Sequence, residues 1–183
     1  ANTTGTMNIA IGRQSMWCNI DGSCNTAVGV YAMNGNVCGD FNQSIGHSSM
    51  YKNVSGDFNN AMGYQALHNA ISGHHNNAFG YHALYSNWGG SGNSAIGRDV
   101  LACNTTGNCN DGMGYRALFY NKTGCHNVGI GCGSLFNSNS GCSNVAVGAN
   151  TLCSNYGGGQ NTAVGRYALG SNLTTGNNTA VGY

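Results

Sequence analysis

The sequence contains no proline and no glutamate, and only 6% of its 183 residues are charged. Without proline, the turns have to come from glycine and asparagine. Catalysis needs positioned acids, bases or nucleophiles. The five aspartates and six histidines form no recurring Asp/His/Ser constellation; no catalytic residue and no cofactor is assigned, and an enzyme is not expected. A net charge of +1 with no basic block gives nucleic acid no electrostatic footprint. No apolar stretch approaches the length of a membrane span, and no signal-peptide pattern is present. The chain begins at Ala1 without a methionine, which suggests a processed or excised segment.

What the chain does have is 31 glycines and many asparagines, placed by a clock. Asparagine recurs every seventeen residues, at Asn8, Asn25, Asn42, Asn59, Asn76, Asn93, Asn110, Asn127, Asn144, Asn161 and Asn178. With this asparagine as position 1, position 5 is always glycine, from Gly12 to Gly182. Position 4 is always apolar, position 9 is Leu or Met from Met16 to Leu169, position 12 is usually Asn and position 15 usually Gly. Disordered low-complexity tracts share this composition but have no reason to keep Leu and Val in phase.

A seventeen-residue unit with two glycine turns is too short for a helix pair and too glycine-rich for an amphipathic helix. It predicts an all-β fold, a β-solenoid of about ten coils running through residues 1–183 as one continuous array. Each coil is expected to carry two short strands, N-x-A-V-G and x-x-A-L-x, closed by the N-x-x-G turn, whose glycine tolerates positive φ. Small and large apolar residues adjoin in both segments, as in Ala27-Val28 and Ala66-Leu67. Because strand neighbours point to opposite faces, both faces should be covered, one by a narrow lumen and the other by a second chain. Lateral association into a trimer or bundle follows as an expectation. Stacked asparagines should form an amide ladder, which needs no ligand. The array opens at position 11 of a unit and stops at position 6 without a cap. That predicts a piece of a longer shaft, or a subunit that stacks end to end.

Nine cysteines suggest pairing by phase. Cys18 and Cys24, like Cys103 and Cys109, bracket an N-x-x-G turn, and Cys125 and Cys142 occupy one position of adjacent coils. All three pairs are disulfide candidates, which would place maturation in an oxidising compartment. Cys38, Cys132 and Cys153 have no partner in phase, and no C-x-x-C motif supports zinc.

Asp40 and Asp57 lie one coil apart in repeated G-D-F-N segments. A calcium site is a candidate there, against the simpler reading of solvated turn residues. Position 6 carries Arg13, His47, Tyr64, Tyr81, Arg98, Tyr115, Arg166 and Tyr183, an aromatic and basic column suited to glycans or another filament, or to a plain solvent-facing ladder. Sequons at Asn2, Asn53, Asn104, Asn121 and Asn172 fall on the N-x-x-G turns, where attached glycans are one reading and turn chemistry the other. The irregular position 2 column argues against the flat threonine face that ice binding requires.

The units N-T-A-V-G-V-Y-A-M (25–33), N-N-A-M-G-Y-Q-A-L (59–67) and N-T-A-V-G-R-Y-A-L (161–169) resemble the N-T-A-V-G-Y-x-A-L repeats of phage and giant-virus tail-fibre-like proteins. More distantly they are similar to the N-S-x-A-I-G repeats in the β-roll heads of trimeric autotransporter adhesins, whose units are shorter. The resemblance covers the whole chain. It implies a surface fibre or attachment protein, extracellular or on a virion or cell surface, whose partners are copies of itself and, in the adhesin alternative, host glycans.

Overall fold

The computed structural model describes residues 2–183, and they form the all-β solenoid that the repeat predicts. Eleven three-residue strands run from β1 (Ile9–Ile11) and β2 (Thr26–Val28) to β11 (Thr179–Val181), one per unit at positions 2 to 4. They stack in chain order into a single parallel sheet. Ile9 pairs with Thr26, Ala10 with Ala27 and Ile11 with Val28, and the same seventeen-residue offset recurs to the last pair, Val164 with Val181. At about 4.8 Å per coil the stack is roughly 50 Å long. Among the described residues no helix is long and apolar enough to cross a membrane.

The second strand expected at positions 6 to 10 does not form. Positions 7 and 9 both take left-handed backbone angles, as at Tyr31 (φ 60°) and Met33 (φ 48°). That conformation costs a non-glycine residue about 1–2 kcal/mol, so something must offset it. Hydrogen bonds to two neighbouring coils do so: Tyr31 N–H donates to the Arg13 carbonyl of the preceding coil, and Met33 N–H to the Ser49 carbonyl of the following one, both at 2.9 Å. The strand alternation is lost, so positions 8 and 9 both point inward. Ala66 and Leu67, like Ala83 and Leu84, therefore share one core.

That core is filled by columns at positions 3, 8 and 9 together with buried asparagines. Where serine replaces alanine it bonds to backbone: Ser44 Oγ donates to the Ser49 carbonyl at 2.9 Å and Ser49 Oγ to the Ala61 carbonyl at 3.3 Å. Volume is matched between coils. Val100 stands where half of the coils have alanine, and the strand of the next coil has Gly112, on which a Cβ would overlap Val100 Cγ1.

The two glycine columns are required for different reasons. At position 5 every glycine has φ between 121° and 139°, a region closed to other residues. The glycine of N-x-x-G, expected to supply positive φ, does not have it. It is small because the coils approach closely there: a Cβ on Gly56 would overlap the Gly73 carbonyl oxygen.

The inner strand face is covered as expected, with Ala27, Ala78 and Ala95 buried, and within one chain Ile45, Met62, Phe79 and Ile96 at position 4 stand exposed on the outer face, the one expected to meet a second chain.

Candidate functional site

Each coil is tied to the next by side chains as well as backbone. Asn93 shows the pattern of position 1. Its Oδ1 accepts the Asn110 backbone N–H at 3.0 Å and the Asn110 amide at 3.1 Å. Its own Nδ2 donates to Asn76 Oδ1 at 3.1 Å and to the Gly107 carbonyl at 2.9 Å. The backbone-to-amide bond runs from Asn8 to Asn178, and the expected amide-to-amide ladder from Asn42 to Asn178.

A second buried ladder lies at position 12. Asn104 Nδ2 donates to Asn87 Oδ1 at 2.7 Å and to the same Gly107 carbonyl at 3.0 Å, and Asn121 Nδ2 donates to Asn104 Oδ1 at 2.9 Å. Ala70 and Ser138 interrupt this column. Directly before each break, Asn53 Oδ1 and Asn121 Oδ1 are buried without a hydrogen-bond donor, and Ser138 Oγ has no partner. The recurrence of asparagine at position 12 was the sequence signal for this column. The same burial bears on the sequons: Asn53, Asn104 and Asn121 are fully enclosed, so their amides are not on an exposed turn.

Position 16 forms a third ladder that asks only for an acceptor atom. Asp40 Oδ1 accepts the Ser23 N–H at 2.7 Å, Asp57 Oδ1 the Asp40 N–H at 2.8 Å, and His74 Nδ1 the Asp57 N–H at 3.1 Å. Asp40 and Asp57 thus each spend one oxygen on the backbone of the preceding coil. Among the described residues no group of three His, Cys, Asp or Glu side chains gathers to hold a metal ion.

The expected disulfides do not form, and all nine cysteines are free thiols. Cys125 and Cys142 belong to the position 16 ladder: Cys125 Sγ accepts the Asn108 N–H at 3.4 Å and Cys142 Sγ the Cys125 N–H at 3.2 Å. The turn between Cys18 and Cys24 is not a hairpin, because it folds inward around buried Asn19. Cys18 N–H bonds forward to Asn34 and Cys24 N–H back to Thr6, so no hydrogen-bonded pairing draws the two together. The Cys103–Cys109 turn repeats this: Cys103 N–H bonds to Phe119 and Cys109 N–H to Ser91.

The position 6 residues do stand together on the surface. His47 stacks on Tyr64 with ring centroids 5.4 Å apart, and Tyr64 on Tyr81 at 5.3 Å. The Arg98 guanidinium lies 5.3 Å from the Tyr81 ring and 5.7 Å from that of Tyr115. Arg13 sits apart, over Tyr31 at 5.8 Å, while Arg166 lies over Tyr167 at 5.0 Å and over Tyr183, the next position 6 residue, at 5.8 Å. Since ring faces are taken up by neighbours, the column offers edges, hydroxyls and one guanidinium to solvent. Beside it Asp99, nearly buried, lies 3.3 Å from Arg98 Nε, 3.7 Å from Arg116 Nε and 3.6 Å from His82 Nδ1. Burial lowers the His82 pKa; Asp99 pulls it up and Arg98 adds to the lowering. His68, set between the Tyr51 and Tyr85 rings, is held at about 4 by burial first and then by Lys52 and His82.

Comparison with protein-family models, curated proteins and solved structures returned no match, so the chain's columns and ladders stand on their own geometry.

Proposed function

We propose that this chain is a structural, non-enzymatic segment of an extracellular fibre whose long axis is the stacking direction of the coils. The observation that carries this reading is the sameness of the coil-to-coil contact. Every coil meets the next through one parallel strand pair and the same bond from an asparagine backbone N–H to the Oδ1 of the preceding asparagine, so length grows by whole coils with no new kind of interface. Placement outside the cell rests on the resemblance of the repeat, because the thiols are unpaired.

Electron microscopy of the purified protein over a range of concentrations tests it. The expected result is fibres that lengthen with concentration and diffract at the strand spacing of about 4.8 Å. A second reading, an adhesin shaft or head that binds host glycans, draws on the unbroken surface column from His47 to Tyr115. Discrete particles at every concentration, together with glycan-array binding that is lost in Tyr64→Ala, would decide for that alternative.

A further inference from the structure

We propose that the outer face of the β1–β11 sheet is a docking surface for a second copy of this chain, rod against rod with sheets face to face. The inference rests on the fibre reading and deepens it, by naming the surface that joins rods side by side.

The face sets an apolar column at position 4 beside a mostly polar but almost uncharged one at position 2, with Thr26, Gln43, Asn60, Asn77 and Ser94 among its residues. Positions 2 to 4 of all eleven strands hold a single charged residue, Asp111, and no lysine. Exposed sheet surfaces are usually kept apart by such charges. Here an apolar column runs the length of the rod instead, with Met62 48%, Phe79 39%, Ile96 42% and Met113 47% exposed. Beside this column lie hollows on the same face: one of about 150 Å³ bordered by Ile45, Asn60, Met62 and Phe79, and one of about 210 Å³ bordered by Ser94, Ile96, Met113 and Ile130.

Size and spacing together identify the occupant. A face about 50 Å long and, with three-residue strands, about 10 Å wide covers roughly 500 Å², so a pair buries about 1,000 Å², the lower limit for a stable protein interface. Its apolar ridge repeats once per coil, so a partner with the same repeat can seat its own side chains in register along the whole length. A second copy carries that repeat along its own sheet, and the dry interdigitation of like faces is how matched sheets associate. A fluid lipid surface has no such period. The contact uses one patch on both partners and so closes as a pair.

The test is sedimentation velocity on the whole chain, with the outward substitutions Phe79→Glu and Ile96→Glu made singly and together. Neither side chain enters the core, so circular dichroism and thermal unfolding should match the parent. At about 10 μM, below the onset of fibre growth, the parent is expected to sediment as a dimer and the double variant as a monomer, with a loss of side-by-side association of 100-fold or more. A parent that is monomeric at that concentration, or a double variant that associates as before, overturns the proposal. So does a parent that stays monomeric yet floats with phosphatidylcholine vesicles, since that assigns the face to lipid. If the double variant still forms thin single fibres in the microscope, the docking face and the fibre reading are both upheld. Pairs that never lengthen into fibres would sink the fibre reading and leave the docking face standing.

Discussion

The two buried asparagine columns look alike in sequence logic, yet one is unbroken and the other is interrupted at Ala70 and Ser138. Their bonds explain the difference. A position 1 side chain takes the backbone N–H of the next coil onto its Oδ1, as Asn93 does for Asn110. Removing it would strand a main-chain donor inside the rod, where water cannot replace the bond. A position 12 side chain accepts only the next amide of its own column, as Asn104 does from Asn121. Losing it leaves a side-chain oxygen without a donor, the state seen at Asn53. Backbone dependence, more than burial, therefore separates a position that tolerates no substitution from one that tolerates a few.

The comparison breaks most visibly at Asn93 and Asn104, which share the Gly107 carbonyl. Asn93→Ala is expected to cost about 4 kcal/mol and Asn104→Ala about 2 kcal/mol, read from urea denaturation of each variant beside the parent. Equal losses would remove the distinction between the columns.

A smaller effect of opposite sign is expected where the second ladder is broken. Ala70→Asn gives Asn53 Oδ1 its missing donor, and Ser138→Asn does the same for Asn121 Oδ1. Each should stabilise by about 1 kcal/mol, visible as a raised midpoint of thermal unfolding. A lowered midpoint in both would show that the breaks are required by packing.

An effect confined to acid pH sharpens the contrast between coils that differ in a titrating group. His68 is held neutral in the folded chain, with its pKa lowered from 6.5 to about 4, and its Nδ1 is buried without a partner. Between these values the unfolded chain binds the extra proton, so stability is full above about 6.5 and falls as the pH drops towards 4. His68→Phe should flatten that part of the stability profile, and an unchanged slope would remove His68 as its cause.

Much of this was legible in the residues. The period, the position 1 ladder, the glycine turn at position 5 and the parallel stacking all follow from one side chain recurring at a fixed interval. The misjudged features share a physical origin. Ala66-Leu67 reads as a strand because nothing local marks Gln65 and Leu67 as left-handed; their φ of 54° and 51° is held by bonds to other coils. Cys125 and Cys142 were correctly placed one coil apart, but each sulfur is engaged as an acceptor for a backbone N–H. The position 16 ladder was hidden because Ser23, Asp40, His74 and Asn108 look unrelated until they are seen to do the same task.

The sequence by itself determined the repeat length, the direction of stacking and the asparagine that every coil must have, because these depend on covalent spacing and on one amide's bonding capacity. Only the tertiary structure decided which residues face inward and which face out. The left-handed turns at positions 7 and 9 bring Leu67 into the core beside Ala66, while the single strand leaves Met62 on the surface. Those turns are unfavourable in an isolated coil and become stable only when a coil on either side receives their hydrogen bonds.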